Sequence, residues 1–243
     1  MEIRLNKFLS ESGVCSRREA DRLIESGQVT VDGKRAEMGM KVTESQTVRV
    51  GKKVIRPQDE MVLLAVNKPV GIVCTEEKKE KNNIIQFLKY PTRITYIGRL
   101  DKDSEGLLLM TNNGDIINKM MRAGNQHEKE YKVTVNKPIT PEFIEKMAGG
   151  VPILDTVTRK CEVEMIGKYK FRIVLTQGLN RQIRRMCEYL GYKVTRLERV
   201  RVMNIELGNL KTGEYRKVSE EEISKLYELI KDSSNETVIP VEE

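Results

Sequence analysis

Residues 96–112 read YIGRLDKDSEGLLLMTN and place an acidic loop between two apolar runs. The run after the loop, Leu107–Met110, has the composition of a β-strand. A loop held at both ends by buried strands is a rigid platform for a catalytic group. The segment therefore makes Asp101, Asp103 and Glu105 candidates for a functional site, although a solvated turn is the default for an acidic loop taken alone.

The sequence on both sides of this loop alternates strand-like runs with helical patterns. Further strands are predicted at Met61–Val66 and Lys132–Val135. Helices are predicted near residues 83–89, 115–122, 141–148, 181–190 and 219–230. Many short strands with scattered helices indicate an α+β domain at 61–231, built on a mostly antiparallel mixed sheet flanked by helices.

Residues 1–60 form a module of two helices followed by short strands. Leu5, Phe8 and Leu9 make a helical apolar stripe that stops at Gly13. Ser16 and Glu19 form a capping box that starts the second helix, whose inner face carries Ala20, Leu23 and Ile24 before Gly27 ends it. Asp32-Gly33 predicts a hairpin, and Val48 and Val50 mark a later strand.

The ends of these domains are polar. Residues 52–61 contain a proline and are predicted to be an inter-domain linker. Residues 232–243 are predicted to be a disordered acidic tail.

The composition excludes several classes of protein. The chain has 243 residues, 39% of them hydrophobic and 33% charged. We find no apolar run of the roughly 18 residues that a membrane span needs and no signal peptide, so we expect a cytoplasmic protein without membrane contact.

The charge indicates a polyanionic partner. The net charge is +7, and the positive surplus lies late in the chain, with 12 Lys and Arg against 4 Asp and Glu from Arg159 to Arg201. This region is where we expect phosphate contacts.

Cysteine and histidine are too sparse for the common metal sites. The four cysteines lie far apart, without a CxxC pair, and are expected to be buried reduced thiols. The one histidine, His127, excludes a multi-histidine site and is expected at the surface or on RNA. Asp101, Asp103 and Glu105 have the alternate spacing of half a calcium-binding loop, but the position for the closing glutamate is Asn112. We predict no metal and no cofactor.

Residues 4–33 resemble an S4 domain, a small RNA-binding module. The resemblance rests on RLNKFL at 4–9, GVCSRREA at 13–20 and VTVDG at 29–33. The outward basic side chains of the two helices could equally form a solvated helix face. The resemblance implies instead that they contact an RNA backbone: Arg4, Lys7, Arg17, Arg18 and Arg22.

The rest of the chain resembles pseudouridine synthases of the RsuA/RluB/RluE/RluF family, closest to the RluF type, which acts on 23S rRNA. The motifs are NKPVG at 67–71, GRLD at 98–101 with SEGL at 104–107, EYKVTV at 130–135 and QGLNRQIRRM at 177–186. Residues 122–131 and 196–204 carry the likeness to the RluF type. The resemblance implies isomerisation of uridine in a 23S rRNA stem-loop, with Asp101 as the essential catalytic residue.

The reaction breaks the N1–C1′ bond of uridine and rejoins the base through C5. A carboxylate beside the glycosidic carbon attacks it or stabilises its charge, as in glycosidases. The sequence leaves open whether Asp101 bonds to the sugar, bonds to the base or takes a sugar proton. The resemblance implies that Tyr131 stacks on the base and that Arg99 fills the gap left by the flipped uridine.

A helix over 181–190 carries the remaining predicted site residues. At about 100° per residue, Arg184 lies at the edge of the buried stripe, while Arg181 and Arg185 point towards solvent or phosphate. We therefore predict an ion pair between Arg184 and Asp101, matching the family's arginine. Leu179 and Ile183 form either the pocket wall or the core, and Arg181 and Lys68 are further candidate substrate contacts, with a structural role favoured for Lys68.

Two other functions remain open at this stage. One is a non-catalytic, ribosome-associated S4 RNA-binding protein, which would tolerate the loss of Asp101. The other is a nucleoside hydrolase using Asp101 and Asp103, which would release free uracil. Nothing in the sequence indicates an obligate protein partner, and we expect a monomer.

Overall fold

The computed structural model describes residues 2–58, 60–77, 79–121 and 126–233. These residues form two compact units. One holds the described residues up to Val62 together with Tyr90–Thr95 and Asn112–Gly114, and the other holds the rest. Of the predicted acidic tail, residues 234–243 lie outside the described residues. No helix in the described part is long and apolar enough to cross a membrane.

The first unit has the predicted helices and hairpin. Its elements are β1 Ile3–Arg4, α1 Leu5–Glu11, α2 Arg17–Glu25, β2 Val29–Val31, β3 Lys34–Arg35, β4 Lys41–Val42, β5 Val48–Val50 and β6 Lys53–Ile55. The Ser16 hydroxyl accepts a hydrogen bond from the Glu19 amide and begins α2. Asp32 and Gly33 both adopt positive φ, as the two-residue turn between β2 and β3 requires.

The predicted linker is partly wrong. The antiparallel pairing of β5 with β6 extends the small sheet to Ile55, which is buried. Gly51, at φ +56°, makes the turn between these strands. The residues around Ile55 are polar and gave no strand pattern. Ile55 is the one buried residue of β6, and this strand forms only by pairing with β5.

The second unit is built on a nine-stranded sheet with helices packed on it. Its strands are β7 Leu63–Lys68, β8 Thr95–Ile97, β9 Glu105–Thr111, β10 Lys129–Val135, β13 Glu162–Gly167, β14 Lys170–Leu175, β15 Val194–Val202, β16 Ile205–Glu206 and β17 Tyr215–Lys217; β11 Pro152–Ile153 and β12 Thr156–Val157 form a separate hairpin. Its helices are α3 Ile84–Leu88, α4 Gly114–Met121, α5 Pro141–Gly149, α6 Gln182–Tyr189 and α7 Glu220–Leu229. The predicted α+β class with a mostly antiparallel sheet is confirmed.

The main sheet runs in the order β13-β14-β10-β15-β9-β7-β17. Its named pairings are antiparallel except β15 with β9, where Arg199 lies opposite Gly106. Strand β9 lies near the centre, and its residues 107–110 are fully buried. Burial of each of these side chains contributes roughly 1.5–3 kcal/mol, which anchors the strand that follows the acidic loop.

Strands β10, β14 and β15 pack against helices α5 and α6 in one hydrophobic core cluster. Phe143 and Met147 of α5, and Ile183, Met186 and Cys187 of α6, are buried there. The buried stripe predicted for this helix is therefore present. The helix is held against the strands that carry the predicted tyrosine.

The junction of β9 and β15 depends on a glycine. Gly106 has φ +100°, and a Cβ atom added there would lie 2.3 Å from the Arg199 carbonyl oxygen. A side chain at this position would meet backbone, which cannot move without separating the strands.

We predict that Gly106→Ala lowers the free energy of unfolding by roughly 2–5 kcal/mol, because the positive φ costs an alanine about 1–2 kcal/mol and an overpacked contact costs about 1–3 kcal/mol. Urea denaturation checks this. Gly149→Ala is the matched control, since Gly149 lies in α5 with open space around it, and it should leave the stability unchanged or slightly raised. Equal stabilities of the two variants would contradict the prediction.

Candidate active site

A cleft of about 360 Å³ opens in the second unit where the loop after β8 meets β10, β15 and the segment before α6. Most of the predicted site residues line it: Arg99, Asp101, Tyr131, Leu179, Arg181 and Ile183. Arg184 and Lys68 do not. The cleft thus brings together residues that are up to 84 positions apart in the chain, from Arg99 to Ile183.

Asp101 lies in the turn between β8 and β9. Its backbone carbonyl accepts a hydrogen bond from the Ser104 amide, and its side chain is 40% exposed. The nearest cation among the described residues is Arg181, whose Nη1 is 3.6 Å from the Asp101 Oδ2. This contact is longer than a hydrogen bond, so the carboxylate faces the cleft without being tied down.

The predicted ion pair between Arg184 and Asp101 is wrong. Arg184 binds the next acid in the loop: its Nε lies 3.3 Å from the Asp103 Oδ2, and its Nη2 donates to the Asp103 carbonyl oxygen at 2.7 Å and to the Ser104 hydroxyl. Asp103 also receives two hydrogen bonds from Arg181, at 2.8 and 3.0 Å. These arginines, Arg181 first, hold the pKa of Asp103 below its usual range.

The helical count failed for Arg181 because this residue precedes the helix. It is the N-cap of α6 and adopts φ +50°, a left-handed conformation. This conformation directs the Arg181 side chain to the acidic loop. A helical conformation at residue 181 would have directed it to solvent or phosphate, as predicted. Arg181 and Arg184 therefore clamp the loop through Asp103.

Tyr131 lies within β10 and not at its entry. It pairs with Ile173 of β14 and Arg199 of β15, and its ring packs partly against the core. The pairing of β10 with β15 is irregular between Glu130 and Tyr131. Tyr131 thus has one side in the core and another in the cleft, as a stacking surface requires.

On the face of β10 opposite to Tyr131, glutamates pair with several arginines of the basic region 159–201. Arg172 lies 2.9 Å from Glu130 and 2.5 Å from Glu162, and Arg201 lies 3.0 Å from Glu130. Burial raises the pKa of Glu130, but the hydrogen bonds from Arg172 and Arg201 outweigh it, and the pKa is lowered. The positive surplus counted from Arg159 to Arg201 is therefore only partly available for phosphate, because acids from elsewhere in the fold pair with it.

Lys68 is a structural residue in this fold. It is fully buried, and its Nζ donates hydrogen bonds to the Pro69 and Ile72 carbonyl oxygens at 2.9 and 2.8 Å. Burial lowers the pKa of Lys68. The predicted substrate contact is not brought to the cleft, because these two carbonyls hold the ammonium beneath the loop after β7.

Leu179 and Ile183 serve both of the roles that the sequence left open. Ile183 is buried in the core cluster, Leu179 packs against it, and both also line the cleft. Arg99 is exposed at the rim, and strand β8 ends at Ile97, before it.

Three further charged or titratable residues line the cleft and were not assigned a site role from the sequence. His127 is partly buried, its ring Nε2 lies 3.1 Å from the Lys119 carbonyl oxygen, and burial lowers its pKa. Lys129 and Arg199 also line the cleft. Lys129 could have been found, because it lies two residues before Tyr131 on a strand and therefore on the same face; Arg199 had no such signal.

The described residues show neither a metal site nor a reactive thiol. These contain no group of three or more His, Cys, Asp or Glu side chains that could hold a metal ion. Cys74 and Cys187 are buried, and Cys15 and Cys161 are partly buried. Burial raises the pKa of Cys161 to about 11 and that of Cys187 to about 12, so both remain protonated thiols at neutral pH.

The basic residues predicted to bind RNA all lie in the first unit. Arg4, Arg17, Arg18 and Arg22 are exposed, and Lys7 is partly exposed. Arg22 pairs with Glu19 at 2.9 Å on the surface of α2. Surface pairs of this kind are weak, so they leave the guanidinium open to exchange for phosphate.

Comparisons with known proteins agree with this geometry. Residues 62–189 match the family model described as RNA pseudouridylate synthase, and residues 3–48 match the S4 domain. A solved structure described as a pseudouridylate synthase is similar over 92% of this chain and 99% of its own, with a TM-score of 0.68 and 28% identity.

Curated relatives cover nearly the whole chain. Proteins named dual-specificity RNA pseudouridine synthase RluF are 57% identical in Salmonella typhi and 55% identical in Escherichia coli K12, over 96% of this chain and 81% of theirs. The ribosomal large subunit pseudouridine synthase B of Bacillus subtilis is 34% identical over 96% of this chain and 98% of its own. The chain belongs to the RNA pseudouridylate synthase family, as an enzyme of the RluF type with an N-terminal S4 domain.

Proposed function

We propose that this enzyme isomerises uridine to pseudouridine in a stem-loop of 23S ribosomal RNA, with Asp101 as its catalytic carboxylate. One observation carries the assignment to Asp101. Of the two aspartates in the loop, Asp103 takes the close arginine contacts, while Asp101 faces the cleft with one cation 3.6 Å away. Asp101 is therefore the acid free to meet a substrate.

The cleft is suited to a single flipped nucleotide. Tyr131 offers an aromatic surface, Leu179 and Ile183 supply an apolar wall, and Asp101 lines the same cleft. A base must leave its helix to present C1′ and C5 to a carboxylate, and a base outside its helix needs a surface to replace its stacking partners. Arg99, exposed at the rim, would fill the gap left in the RNA.

Asp101 takes part in the exchange of bonds at C1′. Breaking the N1–C1′ bond leaves a positive centre on the sugar that a carboxylate stabilises or captures. The base then turns and bonds to C1′ through C5, after which C5 loses its proton. Tyr131 lies in the cleft with Asp101 and would relay that proton.

Arg181 and Arg184 act as positioning residues. Together they fix both the side chain and the backbone carbonyl of Asp103. Asp103 is two residues after Asp101, so the clamp limits the movement of the catalytic carboxylate. A small displacement of a catalytic group lowers the reaction rate strongly. The clamp therefore contributes to catalysis without touching the substrate.

The S4 domain would supply affinity for the RNA backbone through Arg4, Lys7, Arg17, Arg18 and Arg22. Such contacts bind ribosomal RNA without reading sequence. Because the relatives are named dual-specificity enzymes, the assay below compares more than one class of RNA as substrate. We further propose that the enzyme acts in the cytoplasm as a monomer and without a cofactor. The alternative, a non-catalytic RNA-binding protein, is not favoured by the family match.

We predict that Asp101→Ala and the isosteric Asp101→Asn abolish tritium release from RNA that carries 5-tritiated uridine, while RNA affinity stays within about threefold, because the S4 contacts remain. The assay compares large-subunit, small-subunit and short RNA fractions. Nucleoside analysis of the digested product should show pseudouridine in the wild-type reaction.

Retained activity in Asp101→Asn would refute the catalytic assignment. Free uracil as product would indicate a hydrolase. Tight binding by wild-type protein without tritium release, on naked RNA and on precursor ribosomal particles alike, would support a binding protein.

We predict that Arg184→Lys lowers the single-turnover rate by about 10- to 100-fold with unchanged RNA affinity, because a lysine cannot reach Asp103 and Ser104 together. Arg185→Lys is the matched control. Arg185 lies next in the same helix, bonds only to Asn180 among the described residues, and should stay within about threefold of wild type. Equal rates for the two variants would exclude the proposed clamp.

We predict that the double variant Arg17→Ala, Arg18→Ala weakens RNA binding and reduces the slope of log Kd against log salt by about 1.5 to 2, as expected for two lost phosphate contacts. Filter binding at several salt concentrations measures the slope. The pair Lys52→Ala, Lys53→Ala removes the same charge from the exposed β5–β6 hairpin and should change the slope less. Identical slopes for both pairs would place the RNA elsewhere.

A further inference from the structure

The cleft contains two cations that the bond exchange at C1′ does not use. Lys129 begins β10, and Arg199 lies on β15, the neighbouring strand. Arg199 pairs with Tyr131 across these strands, and Lys129 and Tyr131 share a face of β10. Both cations therefore lie beside the aromatic surface proposed for the base.

Arg199 is an unusual residue for the floor of a cleft. It is 2% exposed, its Nε donates to the Leu107 carbonyl oxygen at 2.7 Å, and its Nη2 has no hydrogen-bond partner among the described residues. A buried donor without a partner costs stability and is seldom kept without a use. A guanidinium donates hydrogen bonds and accepts none, so an acceptor is what the site lacks.

Lys129 is equally short of partners. Its only hydrogen bond in the described part is a long one, 3.5 Å to the His127 carbonyl oxygen. No carboxylate in the described residues lies within 4 Å of Lys129 or Arg199, whereas Arg172, Arg181, Arg184, Arg196 and Arg201 all have one. Burial, and then the charge of Arg199, lowers the pKa of Lys129 to about 8.

The isomerisation generates the charge that such a pair would bind. When the N1–C1′ bond breaks, its electron pair stays on the uracil, and N1, O2 and O4 share the negative charge. The C5–C1′ bond then forms, C5 releases its proton, and N1 takes one up. Atoms and charge balance without an oxidant or a second substrate. If Asp101 instead adds to the base, negative charge again develops on the ring oxygens.

We propose that Lys129 and Arg199 form the receptor for the uracil carbonyl oxygens, donating hydrogen bonds to O2 or O4 and stabilising the negative charge on the detached base. This inference rests on the proposed function and assigns the leaving base a site opposite the carboxylate that serves the sugar. The negative carboxylate of Asp101 then faces the positive sugar, and the two cations face the negative uracil. Preorganised donors of this kind act most strongly where water is excluded.

The test uses the full-length protein with Lys129→Met, which keeps the length of the side chain and removes its charge. We expect the single-turnover rate of tritium release to fall about 100-fold, as for the loss of one donor to a developing anion, with unchanged RNA affinity. Lys129→Arg should keep most of the rate. Lys132→Met, on the opposite face of the same strand and exposed, is the matched control and should stay near wild type.

Thermal unfolding separates this role from a structural one. Replacing a partly buried ammonium that has no carboxylate beside it by an apolar side chain should leave the melting temperature of Lys129→Met unchanged or raise it. A lower melting temperature, together with an equally slow Lys129→Arg, would mean that Lys129 only supports the fold, and it would overturn the proposal.

The pH dependence gives an independent readout. Deprotonation of Lys129 above about pH 8 should lower the wild-type rate, whereas Lys129→Arg stays charged and should keep its rate to higher pH. The other charged or titratable side chains that face the cleft are Arg99, Asp101, His127, Tyr131, Arg181 and Arg199. An alkaline limb identical in wild type and Lys129→Arg would assign the limb to one of these and contradict the proposal.

The outcomes distinguish this inference from the function on which it rests. A wild-type protein without tritium release on any RNA would overturn both. An active wild type with an equally active Lys129→Met would overturn the receptor and leave the isomerase intact.

Discussion

The active-site arrangement depends on the contact between the backbones of Gly106 and Arg199. This is where β9 meets β15, the parallel pairing of an otherwise antiparallel path of strands. It joins the half of the sheet that carries the acidic loop to the half that carries Tyr131. A Cβ atom at residue 106 would press into the Arg199 backbone, so only glycine allows the strands to come this close. This approach places the strand that follows the acidic loop beside β15, the strand that pairs with Tyr131.

The distribution of ion pairs then gives each acid of the loop a different role. Asp103 is held by Arg181 and Arg184, and Glu105, which begins β9, is paired with Arg196. Asp101 keeps a carboxylate open to the cleft. A charged group that is already paired has little affinity left for a reaction intermediate, so pairing the neighbours is what selects Asp101.

The two faces of the central strands differ in the same way. On the outer face, Glu130 compensates Arg172 and Arg201. On the cleft face, Lys129 and Arg199 have no carboxylate of the described residues within 4 Å, and the Arg199 Nη2 has no hydrogen-bond partner there. Along β10, alternation places Glu130 on the outer face and Lys129 and Tyr131 on the cleft face. The irregular pairing between Glu130 and Tyr131 places Arg201 and Arg199 of β15 on opposite faces as well. A cation without a nearby acid destabilises a fold. In this protein such cations lie in the cleft, next to the predicted catalytic residues.

The sequence by itself determined the local structure and the family. The Ser16 cap, the Asp32-Gly33 turn, the apolar run of β9 and the stripe of α6 each depend on neighbours a few residues away, and all are present. The tertiary structure decided what depends on distant partners. Strand β6 needed its pairing with β5, and Arg181 contacts Asp103 because it adopts a left-handed conformation before the helix begins. Arg199 became a cleft residue only through its pairings with Gly106 and Tyr131. Periodicity records which way a side chain faces along one element, but it holds no information on which side chain of another element lies opposite.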